Sequence, residues 1–483
     1  MAEPGTERST PPLRRVSEVV HEVPRTYRWD MHVPVRVFAD GELLEQISRD
    51  RSLEQLVNVA TLPGITRAAL GMPDMHEGYG FPVGGVAATI APDGVISPGG
   101  IGFDINCGVR LLTTSLSRAD AGPSIKALVH ELSRSIPTGY GRSGRIALSA
   151  AELDQVLQGG APHLVRRHGL GLEEDLAFLE AGGCLPGADP AAVSARAKQR
   201  GRDQLGTLGG GNHFLEVQAV EAVFDPAAAT AFGLVEGQLA VLIHTGSRGL
   251  GHQVCTDYVK LMDAEQKRFG FHLPDRQLAC APLSSPEGHD YFAGMCAAAN
   301  FAWANRQALT HRVREAIRRV LGAAAEVHVL YDVAHNIAKL EDYDGRSLCV
   351  HRKGATRAFG PSSPELPARY RTVGQPVLIP GSMGTASFVL AGEDAAREVS
   401  LGSACHGAGR ALSRTAAKRR VQGDVLRKEL EARGIAVFCP SNAELAEEAP
   451  VAYKDVDRVV DVVARAGIAR KVARLVPLGV LKG

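Results

Sequence analysis

The 483-residue chain has few aromatic residues, no excess of either charge and no long apolar run. Aromatic side chains make up only 5% of the sequence, and no nucleic-acid-binding module built on stacked aromatics is visible. Because 54 lysines and arginines balance 53 aspartates and glutamates, any site for an anion must be a local patch. No apolar run reaches the roughly 18 residues of a membrane span, and the N-terminus lacks an apolar signal core. These absences predict a cytoplasmic protein without a membrane segment.

Two further absences concern cysteine pairs and nucleotide-binding loops. None of the eight cysteines belongs to a CxxC pair, so buried, reduced thiols are the default interpretation for most of them. The sequence also lacks a GxxxxGK[ST] loop and a strand–GxGxxG–helix unit with an acidic residue downstream. A nucleotide site in this chain must therefore be built in a less common way.

The apolar pattern predicts helices and strands without regular alternation of the two. Residues 1–24 are polar and proline-bearing, which is typical of a flexible leader, and residues 25–483 contain no linker long enough to divide them. Helices are predicted over residues 290–321, 409–433 and 456–475. We therefore expect an α+β fold, in which one large mixed α/β domain assembles distant segments around an active site in a central cleft.

Four glycine- or asparagine-marked segments carry side chains of the kinds that bind metal ions. The candidate ligands are Asp104, Cys107, His213, His244 and His335. A single histidine of this kind is more often a core residue that forms a hydrogen bond with a neighbour. Asp104 could be a turn residue, and Cys107 could be an inert thiol. As a set, one carboxylate, one thiolate and three imidazoles match the ligand count for one or two divalent cations.

A fifth segment, residues 403–414, places a histidine before a glycine-rich turn and two arginines. His406 could attack phosphorus, glycines allow phosphate to approach the backbone, and the guanidinium groups of Arg410 and Arg414 could grip phosphoryl oxygens. In the helix predicted over residues 409–433 the two arginines, four residues apart, share one face. The segment predicts phosphoryl or nucleotidyl transfer. The alternative is a glycine-rich turn whose histidine only forms a hydrogen bond with a neighbour. The arginines would then belong to a basic helix face exposed to solvent.

Ten motifs, in this order along the chain, resemble the RtcB family of RNA ligases. They are GMPDMHEGYGFPVGG (71–85), GFDINCGVR (102–110), LGTLGGGNHFLEV (205–217), HTGSRGLG (244–251), YDVAHNIAK (331–339), HRKGATRA (351–358), IPGSMG (379–384), CHGAGRALSR (405–414), AYKDVD (452–457) and VLKG (480–483). The resemblance runs from about residue 25 to the last residue, and the motifs are long and of unusual composition.

The resemblance implies a GTP- and Mn²⁺-dependent enzyme that joins RNA with a 3′-phosphate or 2′,3′-cyclic phosphate to RNA with a 5′-hydroxyl. It implies that His406 takes up GMP from GTP and that the five candidate ligands hold two Mn²⁺ ions, with Cys107 between them. The guanylate pocket implied by the resemblance comprises Asn212, His213, Phe214, Leu215, Glu216, His335, Asn336, Pro380, Gly381, Ser382, Met383, Ser387, His406, Gly407, Ala408, Gly409 and Lys482. Candidate RNA or phosphate contacts are Arg248, Lys353, Arg410 and Arg414.

Two other classes of protein could use parts of the same set. A dinuclear-metal phosphoesterase would need the ligands but no nucleotide and no covalent histidine. The other alternative is a metal-stabilised RNA-binding protein with an inactive site, and the intact set of ligands argues against it. His406 and Lys482 favour the ligase, because a hydrolase has no use for either. The expected partner is RNA with broken ends, from transfer-RNA splicing or from RNA repair, and an archaease-type activator is a further candidate. We expect a monomer.

Overall fold

The computed structural model describes residues 11–483, which form an α+β fold of helices and sheets. The strands are β1 (Arg14–Arg15), β2 (Val20–Val23), β3 (Val35–Phe38), β4 (Ile65–His76), β5 (Val83–Ile90), β6 (Val95–Ile96), β7 (Gly108–Ser117), β8 (Phe214–Val223), β9 (Gln238–Thr245), β10 (Ala281–Pro282), β11 (Val327–Ala334), β12 (Asn336–Tyr343), β13 (Arg346–Lys353), β14 (Ala355–Arg357), β15 (Pro376–Ile379), β16 (Ser387–Gly392), β17 (Ser403–Cys405), β18 (Ala436–Phe438) and β19 (Ala469–Lys482). The α-helices are α1 (Gly41–Ile47), α2 (Ser52–Val59), α3 (Arg118–Ala121), α4 (Ile125–Ser135), α5 (Ala150–His168), α6 (Ala195–Gly201), α7 (Pro226–Phe232), α8 (Arg248–Phe269), α9 (Pro286–Leu321), α10 (Ala396–Ser400), α11 (Arg414–Arg420), α12 (Gly423–Ala432), α13 (Asn442–Glu447) and α14 (Val456–Arg465). Within residues 11–483, no helix is both long and apolar enough to cross a bilayer.

The larger sheet aligns the ends of the strands next to the predicted metal ligands. Its strand order is β11-β7-β9-β8-β19-β16-β15, with β18 beside β19. In the antiparallel pairs around β7, Gly108 lies opposite both Ala334 of β11 and Thr245 of β9. Phe214 of β8 lies opposite His244 of β9. The four ligand-bearing segments therefore meet at one end of four neighbouring strands.

A second sheet lies on the other side of the cleft into which these strand ends project. Its order is β1-β2-β3-β4-β5-β13-β12, and it contributes Asp74 near the end of β4 and Lys353 at the end of β13. The short pair of β14 and β17, in which Ala355 lies opposite Cys405, brings the next residue, His406, to this side. We call Asp74, Lys353 and His406 the nucleophile wall, after the candidate nucleophile His406, and the five candidate ligands the ligand wall.

The long predicted helix is confirmed as α9, and it lies in the core behind the ligand wall. Ser285 caps its start by accepting a hydrogen bond from the Gly288 amide, and Gly322 ends it. Apolar side chains such as Trp303 and Leu309 are fully buried, but so are the polar side chains of Asn305 and Arg306. Buried polar groups need partners, and those of Asn305 and Arg306 come from the loops of the site.

The predicted leader is wrong for residues 14–23. These residues form β1 and β2 at the edge of the second sheet, where β2 pairs antiparallel with β3. Val19 and Val23 are buried in the core of that sheet, so this segment contributes to the fold. Two very short strands with few apolar residues leave a weak periodic signal, which explains the error. Residues 1–10 of the predicted leader lie outside the described residues.

The helix predicted over residues 409–433 is two helices, α11 and α12, and neither contains Arg410. The Ser413 hydroxyl caps α11 by accepting from the Ala416 amide, so Arg414 is the first residue of the helix. At the first residue of α12, Gly423 passes so close to the Asn442 carbonyl that a Cβ would lie 1.9 Å from its oxygen. The shared helical face predicted for Arg410 and Arg414 is therefore wrong, although both side chains reach Glu448.

The helix predicted over residues 456–475 is correct only for its first half. Helix α14 ends at Arg465, Gly467 adopts a φ of +70°, and β19 begins at Ala469. The later residues are good helix formers by composition, but they pair with β16 on one side and β8 on the other. Pairing on both sides outweighed local helix propensity here.

Candidate active site

The structure brings all five predicted ligands together at the ends of strands β11, β7, β9 and β8. The Cys107 Sγ lies 3.3 Å from His213 Nε2 and 3.3 Å from His244 Nε2. The His244 Nε2 lies 3.3 Å from His335 Nε2, and Asp104 Oδ2 lies 2.7 Å from His213 Nε2. The donors form two groups of three that share Cys107: Cys107, His244 and His335, and Asp104, Cys107 and His213. This geometry fits two cations that share one sulfur ligand.

The protonation of the cluster also fits metal ligation. Burial lowers the pKa of His244 and of His335 well below the usual value, so both rings are neutral and can use a lone pair as ligand. Burial would raise the pKa of Asp104, but His213 and Arg248 lower it to about 2. Burial and the Asp104 carboxylate raise the pKa of the Cys107 thiol. A bound cation would favour the thiolate, as metal ligation does in general.

His406 stands at the end of β17, beside the cluster and open to the cleft. Its ring centroid lies 4.8 Å from that of His335, and its side chain is 13% exposed. The His406 Nδ1 lies 2.6 Å from Asp74 Oδ2, which also accepts a hydrogen bond from the His406 backbone amide at 3.1 Å. Asp74 was not predicted as a site residue, although it lies within the quoted motif of residues 71–85. The only available signal was an acidic residue in a glycine-rich motif.

The glycine turn after His406 is shaped by this contact with Asp74. Gly409 adopts a φ of +75°, and a Cβ there would lie 2.2 Å from the Asp74 carbonyl oxygen. Only glycine fits a position that combines a positive φ with such a close backbone approach. The Gly-Ala-Gly pattern therefore allows the His406 loop to pack on β4. This role is separate from any approach of a phosphate to the backbone.

A cleft of about 750 Å³ runs between the ligand wall and the nucleophile wall. Most of the predicted guanylate-pocket residues line it: Asn212, Phe214, His335, Asn336, Pro380, Gly381, His406, Gly407, Ala408 and Gly409. Of the predicted ligands, only His213 is absent from the lining. The remaining predicted pocket residues, which are not part of the lining, are Leu215, Glu216, Ser382, Met383, Ser387 and Lys482.

Three of the residues behind the lining, Glu216, Ser387 and Lys482, belong to a buried polar layer. Lys482 Nζ donates hydrogen bonds to the carbonyl oxygens of Gly211 and His213, which ties the C-terminal strand to the loop that carries Asn212. Glu216 is buried, and burial raises the pKa of its carboxyl to about 8. Gln218 donates to Glu216 Oε2 and to the Ser387 hydroxyl, and Glu216 Oε1 has no partner among residues 11–483.

The four predicted phosphate contacts are not equivalent. Lys353, Arg410 and Arg414 line the cleft, whereas Arg248 lies behind it with Nη1 2.9 Å from His213 Nδ1. Lys353 Nζ donates to the carbonyl oxygens of Tyr79 and Phe81 at 2.5 Å and 3.0 Å, and burial lowers its pKa to about 7.

One carboxylate holds both arginines of the His406 loop. Arg410 Nη1 donates to Glu448 Oε2 at 2.8 Å, and Arg414 Nε donates to Glu448 Oε1 at 3.2 Å. Tyr453 also donates its hydroxyl to Glu448, while Lys454 Nζ donates to the carbonyl of Met75 beside Asp74. Sequence reasoning missed these roles, although Tyr453 and Lys454 belong to the quoted motif AYKDVD.

The fold and the site together define an α+β protein whose cleft joins a candidate dinuclear metal centre to a partly exposed histidine. The family model described as tRNA-splicing ligase RtcB matches residues 55–483. The chain therefore belongs to the RtcB family of RNA ligases, as its motifs indicated.

Curated relatives match over nearly their whole length. The tRNA-splicing ligase RtcB of Archaeoglobus fulgidus is 54% identical over 478 residues, which cover 98% of this chain and 99% of the relative. That of Thermococcus kodakarensis is 55% identical over 479 residues, with the same coverage. The RNA-splicing ligase RtcB of Mycobacterium tuberculosis is 55% identical over 439 residues, or 89% of this chain and 100% of the relative.

Proposed function

We propose that the chain ligates RNA with GTP as co-substrate, by way of a guanylylated His406. The ends joined are a 3′-phosphate or 2′,3′-cyclic phosphate and a 5′-hydroxyl. The observation that carries the proposal is the position of His406, whose ring lies 4.8 Å from the candidate ligand His335 in the same cleft. A nucleophile beside a cation site is the arrangement that nucleotidyl transfer requires, and hydrolysis by metal-bound water does not need it.

The donor set fits two Mn²⁺ ions. Asp104, Cys107 and His213 would hold one ion, and Cys107, His244 and His335 the other. Mixed oxygen, nitrogen and sulfur ligation is compatible with Mn²⁺, whose occupancy depends on availability more than on affinity. When bound, the ions would polarise phosphate oxygens and offset the charge that develops during transfer.

Asp74 determines which nitrogen of His406 reacts. Because the carboxylate faces Nδ1, it would hold the proton there and leave the lone pair of Nε2 free. The Nε2 atom would then attack the α-phosphorus of GTP. A P–N bond forms, the bond between the α-phosphorus and the bridging oxygen breaks, and pyrophosphate leaves. Asp74 would also stabilise the positive charge on the substituted ring.

Two further displacements would transfer the guanylate to RNA and then release it as GMP. An oxygen of the RNA 3′-phosphate attacks the phosphorus on His406, the P–N bond breaks, and an RNA-(3′)pp(5′)G end forms. The 5′-hydroxyl oxygen of the second RNA then attacks the terminal RNA phosphorus, loses its proton and releases GMP. Lys353, Arg410 and Arg414 line the cleft and would contact the phosphates. A cyclic phosphate must first be opened by water.

The natural RNA is proposed from the names of the relatives. Those of Archaeoglobus fulgidus and Thermococcus kodakarensis are named tRNA-splicing ligases, and that of Mycobacterium tuberculosis an RNA-splicing ligase. We propose transfer-RNA splicing or RNA repair for this chain, since both reactions present the same pair of ends.

Labelling of the protein by GTP tests the covalent step. The wild type is incubated with α-³²P-GTP and Mn²⁺ beside His406→Ala and beside His252→Ala, a histidine that stacks on Phe103 of the cleft wall. We expect an acid-labile, alkali-stable label in the wild type and in His252→Ala, and none in His406→Ala. If GTP does not label the protein while cyclic phosphates are still hydrolysed, the chain is a metal phosphoesterase. If neither reaction occurs but RNA binds, the site is inactive.

A further inference from the structure

We propose that Arg306, on the buried helix α9, is a positioning residue of the metal centre, because one guanidinium holds three of the ligand-bearing segments in place. The inference rests on the proposed function, since it concerns the cations that the ligand wall would bind. No motif and no spacing in the sequence marks this arginine.

All five N–H groups of Arg306 are used within the site. The Nε atom donates to Asp332 Oδ2 at 2.8 Å, and Nη2 donates to Asp332 Oδ1 at 2.9 Å and to Asn106 Oδ1 at 3.0 Å. The Nη1 atom donates to the backbone carbonyls of Asn106 at 2.8 Å and Thr245 at 2.9 Å. The side chains of Arg306 and Asp332 are fully buried, so these bonds form without competition from solvent.

Each of these partners is close in sequence to a ligand. Asn106 precedes Cys107, Thr245 follows His244, and Asp332 lies three residues before His335. The segments are also joined to one another, because the His335 amide donates to the Cys107 carbonyl at 2.9 Å. Gly108, next to Cys107, leaves room for the guanidinium, since a Cβ there would lie 3.0 Å from Arg306 Cζ.

The histidine rings depend on this backbone support. In metal sites the second ring nitrogen of a ligand is usually held by a carboxylate or a carbonyl. The Nδ1 atoms of His244 and His335 have no such partner among residues 11–483. The positions of both rings are therefore set by where their backbone segments lie, and Arg306 contacts Thr245 directly and the His335 strand through Asp332.

Lysine cannot replace arginine in this role. An ammonium is a single point charge with three donors, whereas the flat guanidinium reaches five acceptors in fixed directions. Asp332 further orients the guanidinium of Arg306, because Asp332 is itself held by hydrogen bonds from Arg110 Nε at 2.7 Å and from Trp303 Nε1 at 2.9 Å. Arg306→Lys would keep the charge and lose most of the contacts to the ligand segments.

The same helix provides a matched control. Arg314 lies two turns further along α9, is buried, and forms two hydrogen bonds of 2.6 Å to Asp175. Its Nε donates to the Val327 carbonyl at the far end of β11 from His335. Arg314→Lys therefore removes a buried arginine fork from α9 without touching a ligand-bearing segment.

The test compares cation binding to the two variants with binding to the wild type. Calorimetry with Mn²⁺ and the visible absorption of bound Co²⁺ report on the site, and thermal unfolding in chelator reports on the fold. We expect Arg306→Lys to bind Mn²⁺ about 10- to 100-fold more weakly and to shift the Co²⁺ bands. We expect Arg314→Lys to lose thermal stability in chelator while keeping wild-type affinity and bands.

Equal affinities for Arg306→Lys and wild type would overturn the inference, and so would equal losses of affinity in the two variants. If Arg306→Lys does not fold, the variant Asn106→Gly tests the inference instead. It removes the Oδ1 acceptor of Nη2, and glycine tolerates the φ of +51° at this position. A weaker, spectrally altered site in Asn106→Gly supports the inference, and an unchanged site overturns it. Absence of cation binding in the wild type would instead refute the dinuclear centre of the proposed function.

Discussion

The two walls of the cleft hold their functional side chains in different ways. On the ligand wall, four neighbouring strands end at the same level, and a buried arginine joins three of the segments. On the nucleophile wall, a single carboxylate on β4 faces His406 in a loop that follows a three-residue strand. Sheet register and the arginine both fix the ligand wall, whereas the contacts described for His406 and its turn converge on one residue, Asp74. We therefore expect mutations on the ligand wall to reduce cation binding and histidine labelling together, and mutations on the nucleophile wall to reduce labelling alone.

The largest expected effect comes from Cys107→Ala on the ligand wall. Because the two donor groups share Cys107, its loss should weaken both cation sites together. Labelling of His406 by GTP should fall about 1,000-fold or more, since metal polarisation is worth several kcal/mol. Metal analysis after gel filtration should show fewer than two Mn²⁺ per chain. Cys296→Ala, which removes another buried thiol, is the control, and two tightly bound ions in Cys107→Ala would contradict the shared ligand.

The second effect isolates the nucleophile wall. In Asp74→Asn, the group facing His406 Nδ1 keeps its shape but loses its charge, so labelling by GTP should slow about 100-fold. The stoichiometry and affinity of Mn²⁺ should not change, because Asp74 is not among the grouped donors. Single-turnover labelling and calorimetry provide the two measurements. Asp50→Asn, in the lining of the same cleft, is the control. Loss of bound cations in Asp74→Asn would show that the two walls are not independent.

The smallest effect concerns stability and Glu216, in the layer behind the cleft. Burial raises the pKa of its carboxyl from 4.5 to about 8. Between these values the native state keeps a proton that the unfolded state has released, so this group lowers stability as pH rises towards 8. In chelator, Glu216→Gln should be more stable than the wild type at pH 8 by up to about 4 kcal/mol, and the difference should vanish near pH 4.5.

Urea unfolding at the two pH values measures this difference. Glu221→Gln, at an exposed position of the same strand, is the control and should show the pH dependence of the wild type. An unchanged pH dependence in Glu216→Gln would show that Glu216 ionises normally in the folded chain.

The ligand wall was predictable because its signals are local. Each ligand stands beside an apolar run bounded by Gly or Asn, and an end of a buried strand is a usual place for site residues. All five predicted ligands meet in the structure. The nucleophile wall was predicted only in part, since His406 stands out in its motif but Asp74 lies 332 residues away.

The errors in secondary structure have the same origin. Residues 409–433 and 469–475 are locally suited to helix, yet the first range is interrupted where Gly423 meets Asn442 and the second pairs with two strands. In both places a contact distant in sequence outweighed a local preference. The predicted shared face of Arg410 and Arg414 was wrong for the same reason, and Glu448 holds both arginines instead.

The sequence by itself determined which chemical groups the chain offers: the five candidate ligands, the histidine in its glycine turn, and the cationic side chains. It could do so because residue type and neighbouring turns are local properties. Only the tertiary structure decided which groups face one another, including Asp74 with His406 and Arg306 with three ligand segments. Those partners are set by strand pairing and by the need of buried polar groups for acceptors, which here act between residues 26 to 332 positions apart.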